Sequence, residues 1–142
     1  MKILIEDNLF VTLWYYSDEA VVYHRIKPVE PPYNQQHRKL FRATLLKGAS
    51  LLKEHNACKW LSNDIDSIPL PAHDIEWGEK EWAPKAMVSG WRYWAKVVPK
   101  DAVTQLNASN IIGRLASFGI QANHVANEEE GMAWLAKSSS RN

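Results

Sequence analysis

Three strands in a meander, followed by alternating helix and strand, predict an α/β sandwich. Its sheet is mixed, with an antiparallel N-terminal meander and a parallel C-terminal part, and it carries about four helices. Three observations carry this reading. Apolar runs near the start are separated by turn-forming residues, a long amphipathic segment follows, and the run from Lys59 to Asp101 reads as strand, Trp-rich helix and strand.

The meander comes first. Lys2 to Glu6, Leu9 to Tyr16 and Ala20 to Lys27 are rich in Ile, Val, Leu and aromatics, and Asp7-Asn8 and Ser17-Asp18-Glu19 separate them as turns. In the third run Val22, His24 and Ile26 alternate with Val21, Tyr23 and Arg25, so one face is expected to be more buried than the other. Pro28, Pro31 and Pro32 lack the donor a sheet ladder needs and form a linker.

From Asn34 to His55, Leu40/Phe41, Leu45, Gly48 and Leu51/Leu52 recur at helical spacing, with Arg38, Lys39, Arg42, Lys47 and Lys53 opposite. Asn56-Ala57 ends this helix, and Lys59 to Ser62 enters the sheet interior. A loop from Asp64 to Pro71 leads to a second helix, Ala72 to Ser89. His73 or Asp74 is expected to cap it, Pro84 to kink it, and Gly90 to supply its left-handed stop.

Tyr93 to Val98 is apolar apart from Lys96, as a central strand would be, and Pro99-Lys100-Asp101 is a turn. Helical spacing returns at Leu106, Ile111/Ile112, Leu115 and Phe118, closed by Gly119, before a weak strand from Gln121 to Val125. Asn127 caps a last helix containing Met132, Trp134 and Leu135, with Glu128, Glu129 and Glu130 complementing its dipole. The chain of 142 residues fits one domain, residues 1–137, with a tail at 138–142.

Composition narrows the function classes. A hydrophobic fraction of 46% and a net charge of +1 describe a soluble globular chain without the basic field that nucleic acid or anionic lipid would require. Cys58 is the only cysteine, so a reducing cytoplasm is expected and no internal disulfide or multi-cysteine metal site. Glu6 and Asp7 interrupt any signal-peptide stretch, and no run is long enough to span a membrane.

The quoted residues resemble a known family. The Lys59-Trp60-Leu61-x-x-Asp64 strand end, Trp77, Trp82-x-Pro84, Gly90, Ala95-x-Val97-Val98-Pro99 and Glu130-x-x-x-Trp134-Leu135, in this order, are similar to the small bacterial SpoIIAA-like (STAS-like) proteins. The likeness spans nearly the whole chain and rests mostly on packing residues. It implies a regulatory interaction module. Antagonists of anti-sigma factors with that fold are switched by phosphorylation of a Ser in an Asp-Ser-Ser-Gly-type loop. The matching loop here, Ser62 to Pro69, lacks that motif and leaves Ser67 as the nearest hydroxyl, with Ser62 beside it. The fold is also similar to lipid-binding CRAL-TRIO domains, which admits an apolar ligand.

Catalytic outfits are sparse. The five histidines (His24, His37, His55, His73 and His124) form no H-x-x-x-H or H-E-x-x-H pair and are expected at the surface. Cys58 follows a helix end, where the dipole opposes a thiolate, and is expected to be buried and structural. There is no G-x-S-x-G elbow and no phosphate loop. No cofactor or metal is expected. Asp64 and Asp66 sit where open α/β sheets bind ligands, and can serve as acid and base, hold a cation, or simply accept loop hydrogen bonds and solvent.

Seven tryptophans are the compositional oddity. Aromatic side chains in such number serve the core alone, a protomer or partner interface, or an apolar-ligand groove. Trp77 and Trp82 are five apart and cannot share one narrow α-helical stripe, so one is expected on the sheet and the other toward a partner, a groove or a kinked neighbour. The sequence therefore predicts a cytoplasmic, non-enzymatic interaction module. It would be a homodimer with a possible protein partner, acting through Asp64, Asp66, Ser67, Trp77 and Trp82. The alternative is a carrier or sensor of a small lipid-like ligand in a pocket lined by Trp82, Met87 and Val88 beneath the Trp82-Pro84 helix.

Overall fold

The protein was analysed as a computed structural model that describes residues 1–30, 32–98, 113, 116–117 and 119–138. Its sheet has six strands: β1 (Lys2–Asp7), β2 (Val11–Tyr16), β3 (Val21–Ile26), β4 (Lys59–Asn63), β5 (Tyr93–Val97) and β6 (Gln121–Val125). They lie side by side in chain order. β1–β2 and β2–β3 pair antiparallel, and every later neighbour pairs parallel.

Helix α1 (Gln35–Glu54) starts where Asn34 accepts from the Gln36 and His37 amides, while the His37 ring accepts from the Asn34 amide in return. Asn56 ends it in the left-handed region at φ 53°, a conformation Asn tolerates. The second helix is not continuous. Helix α2 (Ala72–Trp77) passes through a π-helical turn (Gly78–Trp82) into α3 (Ala83–Val88). Pro84 has no N–H, and its ring crowds the carbonyl four residues back, so the chain widens to an i→i+5 bond from the Ala83 amide to Gly78. The expected kink is thus a widened turn just before the proline.

Helix α4 (Glu128–Ser138) is capped by Asn127, whose side chain accepts from the Glu130 amide at 2.8 Å. Counting α2 and α3 as one interrupted helix, three helices stand among the described residues. The helix expected between Leu106 and Phe118 lies largely outside them, as do Pro99 to Asp101 and residues 139–142. Ser138 belongs to α4 rather than to a tail. Among the described residues no helix is long and apolar enough to cross a membrane.

Both sheet faces are covered. Val11, Leu13, Tyr15, Val22, Trp60 and Trp94 pack with α1, α2 and α3 into one core. Val21, Tyr23, Leu61, Ala95, Val97 and Val125 pack with Leu135 of α4 into another. β3 is therefore buried on both sides apart from Arg25, which corrects the one-sided burial expected of it. Two glycines permit the close approach of these layers. A Cβ on Gly48 of α1 would lie 2.3 Å from the Trp60 ring, and one on Gly131 of α4 would lie 2.6 Å from a Leu61 methyl.

Gly48→Ala gains helix propensity but drives a methyl into a fully buried indole. The overpacking outweighs the gain, so urea unfolding is expected to show a net loss of about 1–3 kcal/mol. A neutral or stabilising result would show that Trp60 has room to move.

Candidate functional site

Parallel pairing sets the site. His24 of β3 stands opposite Ser62 of β4, Ser62 opposite Lys96 of β5, and Lys96 opposite His124 of β6. Alternation places all four on the face that carries α1 and α3, because their neighbours two residues earlier, Val22, Trp60, Trp94 and Ala122, belong to that core. Polar side chains thus form a row across the carboxyl ends of four strands, directly above a hydrophobic row.

Asp64, two residues beyond Ser62, projects over this row and is only 7% exposed. Its Oδ2 accepts from the Lys96 ammonium, and its Oδ1 lies 3.5 Å from His24 Nε2. Burial alone would raise the Asp64 pKa, but the Lys96 charge and then His24 outweigh it and hold the carboxyl far below its ordinary range. The Trp60 indole donates to His24 Nδ1 at 2.9 Å. Nδ1 is thereby the acceptor, so the proton of neutral His24 resides on Nε2, facing Asp64. The Trp94 indole donates to the Ser62 hydroxyl at 2.8 Å.

His124 closes the row differently. Its Nε2 is buried and has no hydrogen-bond partner. Burial, and then the charge of Lys96 beside it, lower its pKa below the ordinary 6.5.

This arrangement leaves little free chemistry. Both ring nitrogens of His24 face partners, and Lys96 and Asp64 neutralise each other. Ser62 is 1% exposed, so its hydroxyl is not presented to solvent for modification. The buried His24 and His37 correct the expectation of surface histidines, and Cys58 is half-buried rather than buried. Among the described residues no group of three or more His, Cys, Asp and Glu could hold a metal ion.

The other expected site residues disperse. Asp66 pairs with Arg25 at 3.1 Å instead of joining Asp64 in a carboxylate pair. The Ser67 hydroxyl donates to the Ile68 carbonyl, and its amide donates to the Asp64 carbonyl, so the residue serves the loop. Asp74 does not cap α2, which follows Pro71 without a side-chain cap. Its wholly buried carboxylate accepts two bonds from Arg38 and one from Arg42, tying α2 to α1.

Trp82 is a core residue, 5% exposed, with its indole donating to the Leu45 carbonyl. Trp77 also turns toward α1, 6.4 Å from Phe41 and beneath the Arg42 guanidinium. The widened π-helical turn explains why residues five apart both face inward, against the α-helical expectation. Among the described residues a surface concavity lies elsewhere, between α1 and α3. It measures about 820 Å³, and Leu46, Ala49, Pro84 and Val88 are among the residues that line it. Of the three residues expected around an apolar pocket, Val88 borders this concavity, and Trp82 and Met87 are not among the residues that line it.

Comparison with known proteins returns no match to a family model, a curated protein or a solved structure.

Two predictions follow from the row. Lys96→Met strands a buried carboxylate and is expected to cost about 3–5 kcal/mol in urea unfolding, while Lys96→Met combined with Asp64→Leu costs less than the single change. A double loss equal to the sum of the losses of Lys96→Met and Asp64→Leu measured singly would mean that the pair carries no coupling. His124 gives a pH signature. Below 6.5 the unfolded chain takes a proton that the folded chain resists, so stability falls as the pH is lowered through that window, and His124→Gln removes that part of the slope. Urea midpoints of both proteins at several pH values across that window check it.

Proposed function

We propose that this chain is a non-enzymatic interaction module of SpoIIAA-like fold, cytoplasmic and homodimeric, which meets a second copy of itself through the groove between α1 and α3. The carrying observation is Val88, which borders that groove and is 90% exposed. An exposed apolar side chain beside a largely apolar groove is the kind of surface that association removes from water.

The rim supports a two-fold partner. Lys53, Lys85 and Glu54 line the same groove, so the patch carries both signs of charge. In an isologous contact each residue meets the same surface inverted, and a patch with both signs complements itself. The engaged nitrogens of His24 and the closed Asp64–Lys96 pair speak against acid–base catalysis at the strand ends. The net charge of +1 speaks against nucleic acid as the partner.

A second reading, a carrier of a small lipid-like ligand, is favoured by one observation. The groove volume of about 820 Å³ falls in the range of small-molecule sites, roughly 300–1,000 Å³. In that reading Val88 contacts the ligand, and Met87 and Trp82 stand behind the wall.

Sedimentation over a protein dilution series decides between them. The homodimer reading expects a concentration-dependent dimer that Val88→Glu weakens at least about 30-fold, with the fold retained by circular dichroism. A wild-type chain that stays monomeric at high concentration overturns it. Native mass spectra showing a discrete lipid adduct on that monomer would establish the carrier.

A further inference from the structure

The face of the sheet opposite the groove holds a cluster that the interaction module does not use. Trp14 of β2 stands directly opposite Tyr23 of β3, and the two rings stack with centroids 4.8 Å apart. Tyr16 lies two residues along β2 on the same face, its ring 6.1 Å from Tyr23. Glu128, in the first turn of α4, accepts from the Tyr16 hydroxyl.

Into this cluster reaches the side chain of Lys2, opposite Tyr16 in the β1–β2 register. Its ammonium lies 4.4 Å from the Trp14 ring centroid, 5.1 Å from that of Tyr23 and 5.7 Å from that of Tyr16. It also pairs with Glu128 at 3.2 Å. Three ring systems and one carboxylate thus converge on a single cation. Aromatic faces carry negative charge density, and indole is the strongest of them toward cations, so this environment selects positive charge.

We propose that Trp14, Tyr16, Tyr23 and Glu128 form a binding site for a small alkylated ammonium ion, with the chain's own Lys2 as its resident occupant. Two features make the occupant replaceable. Lys2 is tethered to an edge strand, and its side chain is 37% exposed, so it can swing to water without opening the core. A primary ammonium is also strongly hydrated, whereas a quaternary one surrenders its water more readily and presents methyl groups to the rings.

The electrostatics agree with that assignment. Burial alone would raise the Glu128 pKa, but the Tyr16 and Tyr23 hydroxyls and Lys2 outweigh it, so the carboxylate stays ionised at neutral pH. Burial chiefly pushes the Tyr23 hydroxyl up to about 12, so it stays neutral and adds no second charge.

The test is a titration of the isotope-labelled full chain with choline, followed by NMR at the Trp14 indole and the Tyr16 and Tyr23 rings. The neutral isostere 3,3-dimethylbutan-1-ol serves as control. Choline is expected to give saturable shifts at these rings and the alcohol none. Lys2→Ala, which removes the tethered competitor, should bind choline about fivefold more tightly, and Glu128→Gln about fivefold more weakly, as contacts of this class imply. Lys2→Met keeps the apolar stem and should show the same gain if the alanine variant does not fold. Absence of saturable shifts in a folded Lys2 variant, or equal binding of the alcohol, overturns the proposal.

Discussion

A carboxylate buried at the carboxyl end of β4 is the constraint from which much of this structure follows. Asp64 is nearly withdrawn from water, and an isolated charge there would be ruinous. Its compensation comes from the two strands that flank β4, through Lys96 of β5 and His24 of β3. A register slip of one residue would carry Lys96 to the opposite face and leave the carboxylate alone. The polar row therefore specifies how the parallel strands align, and the Trp60–Trp94 row beneath it is fixed by the same alignment.

That second row explains the tryptophans. Trp60 packs 5.1 Å from Trp82, Trp82 lies 4.8 Å from Trp91, and Trp91 lies 5.4 Å from Trp94. The rings make a continuous layer between sheet and helices, and each indole N–H finds an acceptor: His24, the Leu45 carbonyl, the Tyr93 carbonyl and Ser62. Such a layer is thick, so α1 can lie over the Trp60 ring only where it has no side chain. Gly48 over Trp60 meets that requirement. The π-helical turn meets another, since it points Trp82 into the layer while Pro84 occupies the first turn of α3.

Much of this was legible in the sequence, and the failures have physical causes. The meander, α1 with its Asn34 start, the paired inner strands and the Asn127 cap are local patterns, written in residues a few positions apart. The polar row is not local, because His24, Asp64, Lys96 and His124 meet only through strand pairing. A signal was present in Lys96, the one charge in an otherwise apolar strand, which required a buried partner. Local rules favour Asp74, or His73, as a cap at the start of α2. Two arginines on a helix more than thirty residues away claimed it instead. Trp77 and Trp82 both turn inward because the turn between them is π-helical, a geometry that α-helical spacing does not describe.

The two faces of the sheet divide their chemistry unequally. On the α1 side His24, Asp64 and Lys96 at the strand ends are spent on each other, while the buried His124 Nε2 lacks a partner among the described residues. On the α4 side the rings of Trp14 and Tyr16 remain half-buried, and their cation is a side chain on an edge strand. Gly131 lets α4 sit close over Leu61 near the middle of the sheet, and from there Glu128 of its first turn reaches Tyr16 of β2 and Lys2 of β1. The aromatic cluster thus lies at the β1–β2 margin, where α4 contributes a carboxylate. The groove on the other face lies where α3 ends at Val88 and the chain turns at Gly90, φ 121°, toward β5. Neither surface draws on the polar row that holds the strands in register.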